Sequence, residues 1–121
     1  MTRNITIDQR KIATATILIT ESESDAIELR NSERNDTIVA LIIPAAFTGT
    51  AINFKSSFNG TDFLDAYDPT GNKLEVTVGV DRHIHLAGGD FLGAKYLKLV
   101  SNGAEIAERK IGVVLFETQT R

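Results

Sequence analysis

Apolar and polar residues alternate along much of this chain, as they do in β-strands with one buried face. Residues 12–20 set alanines and isoleucines, including Ile17 and Ile19, against threonines on the opposite face. Residues 73–79 repeat the alternation, with Leu74 among the apolar positions. A period of two is the side-chain period of a strand, and no segment shows a convincing helical period. We therefore predict strands at residues 12–20, 26–30, 37–43, 50–56, 63–68, 73–79, 82–86, 95–101 and 109–117.

Turn signals separate these segments about every 8–12 residues. Asn59 and Gly60 suit the positive φ angles of a hairpin turn. Residues 68–71, with the sequence Asp-Pro-Thr-Gly, carry Asp, Pro and Gly at positions that a type I turn favours. About nine short strands joined by such turns predict an all-β fold, an antiparallel β-sandwich that is jelly-roll-like.

The domain organisation follows from the length and from the polar ends of the chain. A chain of 121 residues is most simply one domain. We assign residues 1–11 to an N-terminal arm, residues 12–118 to the β-sandwich domain and residues 119–121 to a C-terminal tail. The arm carries three basic residues, which are Arg3, Arg10 and Lys11.

Two of the predicted strands lack a polar face. Residues 37–43 are apolar on both sides, and residues 111–116 present Val114 and Phe116 on the side opposite to their other large apolar residues. Each sheet of a two-layer sandwich has one inner face and one outer face, so a strand of this kind needs a second cover. Either loop 44–49 of the same chain or another subunit provides that cover.

Composition and charge narrow the classes of partner. The 13 basic and 16 acidic residues give a net charge of −3, which offers no attraction for nucleic acid. The longest apolar run, residues 38–46, is too short to cross a bilayer, so we expect no membrane partner. The absence of cysteine excludes disulfides and thiolate catalysis. Residues 1–11 lack the apolar core of a secretory signal, and we expect synthesis in a cytoplasm.

Four acidic residues between residues 54 and 78 are candidates for chemistry: Asp62, Asp65, Asp68 and Glu75. A calcium-binding EF-hand loop needs glycine at its sixth position, but that position falls on Tyr67 or Lys73. A pair of carboxylates for glycoside hydrolysis is not excluded by spacing, although nothing in the sequence points to one. We interpret these acids as residues of turns and of a sheet edge.

Asp81, His83 and His85 form a possible metal site. On a strand, residues at i, i+2 and i+4 point to the same side, which would align the three side chains. The spacings around them do not match those of a cupin, and the chain has no other histidine. We favour histidines that face solvent, expect no cofactor and predict that the chain is not an enzyme. A metal-dependent, cupin-like enzyme remains an alternative.

A series of motifs within residues 41–103 resembles small β-sandwich proteins from the structural gene clusters of tailed bacteriophages. The series begins with a Pro-Ala-Ala-aromatic-Thr loop and an apolar strand that ends near a serine. The Asn-Gly hairpin, a Tyr-Asp turn closed by Gly-Asn, and an Asp-Phe-x-Gly turn before a Tyr-Leu-Lys strand follow. These motifs lie at residues 44–48, 52–57, 59–60, 67–72 and 90–98.

This resemblance implies a virion structural protein, made in the host cytoplasm and most simply a capsid decoration (cement) protein. Its implied partners are the major capsid protein and further copies of itself, with a trimer favoured. We expect the arm residues Arg3, Arg10 and Lys11 to bind the capsid. We expect self-association through Val39, Leu41, Val114 and Phe116.

A carbohydrate-binding or adaptor module of a phage tail or fibre is the main alternative. Sandwich modules that bind carbohydrate use exposed aromatic residues as a platform. The chain has no tryptophan, and its two tyrosines are Tyr67 and Tyr96, which makes this alternative the weaker one.

Overall fold

The computed structural model describes residues 10–31, 34–86, 91 and 94–117. Within these ranges the chain forms nine β-strands that pair antiparallel in two sheets, which confirms the all-β prediction. No helix in the described part of the chain is long and apolar enough to span a bilayer. The strands are β1 (Arg10–Ile17), β2 (Ile27–Glu28), β3 (Asp36–Ile43), β4 (Ala51–Ser57), β5 (Leu64–Asp65), β6 (Glu75–Thr77), β7 (Arg82–His85), β8 (Tyr96–Ser101) and β9 (Arg109–Glu117).

The strand order is that of a jelly roll. The first sheet, sheet I, has the order β1-β9-β3-β7, and the second sheet, sheet II, has the order β2-β8-β4-β5. The short strands β5 and β6 both pair with β4, one near each of its ends, and so act as one interrupted strand. With these two counted together, eight strands alternate between two sheets in the Greek-key manner of a jelly roll.

The core lies between the sheets and is built from the inward side chains of the long strands. Leu41, Ile52, Leu99 and Leu115 are fully buried there. Phe54 stacks against Phe91 with 4.8 Å between ring centroids. The prediction that the apolar positions of residues 50–56 and 73–79 face inward is confirmed, since these side chains belong to the core or pack against it.

The first strand is displaced from its predicted position. It spans Arg10–Ile17, because β9 continues to Glu117 and supplies a pairing partner as far as Arg10. Arg10 and Lys11 therefore lie on a strand and not on a free arm, while Arg3 lies outside the described residues. The predicted extension of the strand to Thr20 is wrong, because Thr20 takes a φ of 71° in a turn and Ile19 is exposed.

Strand β3 contains a β-bulge at Val39. Ile38 pairs with Leu115, but Ala40 already pairs with Val114, so Val39 is an extra residue in this ladder. Beyond the bulge the alternation is shifted by one residue, and Leu41 points into the core with no exposure. The expectation that Leu41 contributes to a self-association surface is therefore wrong.

Candidate interaction surface

The outer face of sheet I is apolar across its centre. Strand pairing arranges the outward residues in rows that cross the sheet. One row contains Ile12, Val114, Ala40 and His85. The adjacent row contains Thr14, Gly112, Ile42 and His83. We define the sheet I surface as the outward residues Ile12, Val39, Ala40, Ile42, Val114 and Phe116.

A shallow hollow of about 510 Å³ lies on the sheet I surface, with Arg10, His83 and His85 at its rim. Gly112 contributes to its shape, because a Cβ atom there would lie 2.9 Å from the Ile42 side chain. The absence of that atom lets Ile42 lie flat across β9. Within the surface, 65% of Ile12 is accessible to solvent, an unusual exposure for an isoleucine on a regular strand.

The outer face of sheet II has the opposite character. Glu23 lies across it and accepts hydrogen bonds from Lys55 at 2.8 Å and from Lys98 at 3.1 Å. The ammonium group of Lys98 also lies 4.5 Å from the ring centroid of Phe63. The hydrogen bond from Lys55, followed by the one from Lys98, lowers the pKa of Glu23 despite partial burial. A face of paired charges is suited to water, so the two faces of the sandwich differ in what can cover them.

The structure separates the residues that we expected to self-associate. Val39, Val114 and Phe116 lie on the sheet I surface, whereas Leu41 lies in the core. Loop 44–49 does not cover this surface, because its Phe47 joins the core between the sheets.

Ile12 and Ile42 are members of the sheet I surface that our reasoning from the sequence missed. Ile12 falls on the threonine face of its strand, so the period of two placed it outward. Ile42 was missed because the bulge at Val39 shifts the alternation of inward and outward side chains along β3.

The three candidate metal ligands do not align. Asp81 precedes β7 and takes a φ of 56°, so it is not the first member of an i, i+2, i+4 series on a strand. His83 and His85 are on β7 and are exposed, as we favoured. Among the residues that the structure describes, no three His, Asp or Glu side chains come close enough to hold a metal ion.

The acidic residues of the middle segment serve in turns and at a sheet edge, which confirms our interpretation. Asp68 Oδ1 accepts hydrogen bonds from the backbone N–H groups of Thr70 at 3.0 Å and of Asn72 at 2.9 Å. The backbone hydrogen bond from Asn72 is the main cause of a lowered pKa at Asp68. Asp65 lies on β5 at the edge of sheet II and forms an ion pair with Lys73.

Comparison with known proteins adds a likeness of fold. No protein-family model matches the chain. No curated protein matches it either. Among solved structures, it is similar to the crystal structure of the SPBc2 prophage-derived protein YomS, with 11% sequence identity and a TM-score of 0.49. The likeness covers 93% of this chain and 98% of that one. A likeness of this degree says nothing about what the chain binds.

Proposed function

We propose that this chain is a virion structural protein of a tailed bacteriophage, of the capsid-decoration type, and that it acts by binding other protein subunits. The observation that carries the proposal is the difference between the two outer faces of the sandwich. Sheet II presents the ion pairs of Glu23, whereas sheet I presents Ile12, Val114 and Phe116. Contiguous apolar surface on one side of a small domain is characteristic of a surface that another protein covers.

The sheet I surface has the area that self-association requires. Four strands about 4.8 Å apart, with about eight residues at 3.3 Å each, give a face of roughly 500 Å². Covering this face on two copies would bury about 1,000 Å² in total, the lower bound for a specific interface. Arg10, His83 and His85 surround the apolar centre as a polar rim. The resemblance of residues 41–103 to phage structural proteins favours a trimer as the assembly.

Contact with the major capsid protein is assigned to the basic residues at the beginning of the chain. Lys11 is exposed on β1, at the edge of sheet I, and its Nζ lies 3.9 Å from Oδ2 of Asp36. Arg10 precedes it on the same strand, and Arg3 belongs to the segment before the described residues. In this arrangement the chain is located in the virion and bound to the outside of the shell.

Cosedimentation with capsids tests this function. Capsids of the phage that encodes the chain, prepared without it, are mixed with the purified protein and pelleted. We expect saturable binding by the wild-type chain and weaker binding by Lys11→Glu. Lys95→Glu is the matched control, because Lys95 is also an exposed lysine and lies away from β1. A wild-type chain that stays in the supernatant would contradict the proposal.

A further inference from the structure

A second hollow, of about 460 Å³, lies at the edge of sheet II beside β5. We call it the aromatic groove. Three of its lining residues are large apolar side chains that are mainly in solvent, since 76% of Phe58, 74% of Leu64 and 57% of Tyr67 is exposed. Behind them, Leu74 and Phe91 line the hollow and connect it to the core. A contiguous group of exposed apolar side chains of this kind is typical of a surface that a ligand or partner covers.

The turn that carries Phe58 is held rigidly by its own polar side chains. Asn59 Oδ1 accepts the backbone N–H groups of Thr61 at 2.8 Å and of Asp62 at 2.9 Å. The Ser57 hydroxyl accepts the N–H of the following glycine at 2.8 Å. The phenylalanine is thus exposed on an ordered backbone. A ligand that packs against it therefore loses little to the ordering of the loop.

Tyr67 is held in the same way from the other side of the groove. It precedes Asp68, whose carboxylate organises the turn to Asn72, and it forms an isolated β-bridge with Lys73. Tyr96 is different, because its hydroxyl donates to Glu28 at 3.2 Å and it does not line the groove. Two rigid turns, one before β5 and one after it, therefore present one aromatic ring each to a shared hollow.

The polar residues of the groove define the class of ligand. Asp62 and Asp65 supply carboxylate oxygens that accept hydrogen bonds, and none of the described lining residues is Lys or Arg. The described lining offers no cation to a polyanion, whereas a polyhydroxylated ligand donates to the carboxylate oxygens and packs its C–H faces on the rings. The volume of the hollow is that of a small-ligand site. We infer that the aromatic groove binds an uncharged glycan.

This inference goes beyond the proposed function, because none of the described residues lines both the aromatic groove and the hollow of the sheet I surface. A chain attached to a shell through one region can present the other to carbohydrate. Loss of one activity by mutation therefore leaves the other measurable.

Titration with defined oligosaccharides tests the inference. The 15N-labelled protein is titrated with cellohexaose, mannohexaose and chitohexaose, and with a heparin hexasaccharide as the anionic probe. We expect at least one uncharged probe to shift the amide signals of residues 57–67. Phe58→Ala and Tyr67→Ala should each weaken that binding by about tenfold, through loss of packing on a ring. Ile106→Ala is the matched control, because Ile106 is 74% exposed and lies outside the groove.

Five outcomes are informative. The inference is supported if the amide shifts are confined to the groove, both aromatic variants bind the probe more weakly, and Ile106→Ala binds it as tightly as the wild type. The absence of binding by all three uncharged probes overturns it. Binding that both aromatic variants retain, or equal binding of the heparin probe, also overturns it. If Phe58→Ala instead abolishes capsid cosedimentation and no glycan binds, the groove is a protein-docking surface.

Discussion

The carboxylate of Glu105 is inaccessible to solvent, and it connects loop 44–49 with β8 and β9. Its Oε1 accepts the backbone N–H of Thr48 at 3.0 Å and the Nε–H of Arg109 at 2.9 Å. Its Oε2 accepts the backbone N–H of Gly49 at 3.1 Å and the hydroxyl of Ser101 at 3.3 Å. Glu105 thereby fixes loop 44–49, whose Phe47 fills one end of the core.

Replacement of Glu105 by glutamine should lower the free energy of unfolding by about 3 kcal/mol. The amide nitrogen of glutamine cannot accept a hydrogen bond, and the half-buried Arg109 loses its counter-charge. Urea denaturation measures the difference. Glu108→Gln is the control, because Glu108 is 51% exposed in its ion pair with Lys110 and should change stability by less than about 0.5 kcal/mol. Equal effects of the two substitutions would show that the buried hydrogen bonds of Glu105 contribute nothing.

The same residue gives the fold a dependence on pH. Burial raises the pKa of Glu105, but hydrogen bonds from Thr48, Arg109 and Gly49 outweigh burial and lower the pKa below its ordinary value of 4.5. A carboxylate with a lowered pKa in the folded state stabilises the fold above pH 4.5, and this contribution is lost as pH falls through the folded-state pKa.

We therefore expect the stability difference between wild type and Glu105→Gln to be constant at neutral pH and to shrink below pH 4.5. Denaturation curves of both proteins across this range provide the measurement. A difference that stays constant into acid would mean that folding does not change the pKa of Glu105, contrary to this description.

At the level of elements, the turns that hold the aromatic groove depend on two glycines for different reasons. Gly60 has a φ of +83°, and a Cβ atom there would lie 3.1 Å from the ring of Tyr96. Gly71 has a φ of +91° but no atom within 4 Å of such a Cβ. Gly103 has open space and no positive φ. Substitution by alanine thus adds backbone strain and crowding at Gly60, backbone strain alone at Gly71 and neither at Gly103.

The expected order of stability loss is Gly60→Ala, then Gly71→Ala, then Gly103→Ala. Strain from a positive φ should lower the free energy of unfolding by about 1 kcal/mol at Gly71, and crowding against Tyr96 should bring the loss to about 2 kcal/mol at Gly60. Gly103→Ala should be neutral. Thermal unfolding of the three variants establishes the order, and an equal loss at Gly71 and Gly103 would remove backbone strain as the explanation.

Sequence periodicity predicted the strands well where one face of a strand is polar. Residues 73–79 alternate clearly, and their inward and outward residues lie as expected. Residues 109–117 also match β9 at both ends. Turn chemistry predicted the role of Asp68, because an Asp-Pro-x-Gly sequence provides its own hydrogen bonds.

Periodicity failed where both faces are apolar or where distant segments meet. Beyond Thr37, strand β3 has no polar residue to reveal its phase, so the bulge at Val39 and the inward position of Leu41 were not visible in the pattern. The aromatic groove could not be found from the sequence either. Phe58 and Tyr67 lie on different turns, and only the pairing of β4 with β5 brings them to one hollow.

For the whole molecule, the difference between the two outer faces is the central feature. Val114 lies half-buried at the centre of the sheet I surface, on β9 between β1 and β3. Val100 is its counterpart on the outer face of sheet II, half-buried on β8. A lysine at either position is compatible with an outward side chain on a strand, so neither change should unfold the domain.

Sedimentation velocity of the purified chain and of these two variants tests the account most directly. An interface centred on the sheet I surface would place the Val114→Lys ammonium group in an apolar contact, a burial that association cannot compensate. We expect the wild type and Val100→Lys to sediment as the same oligomer, with the mass of a trimer favoured, and Val114→Lys to sediment as a folded monomer. A wild-type chain that is monomeric at the highest attainable concentration, or a Val114→Lys variant that still assembles, would contradict the account.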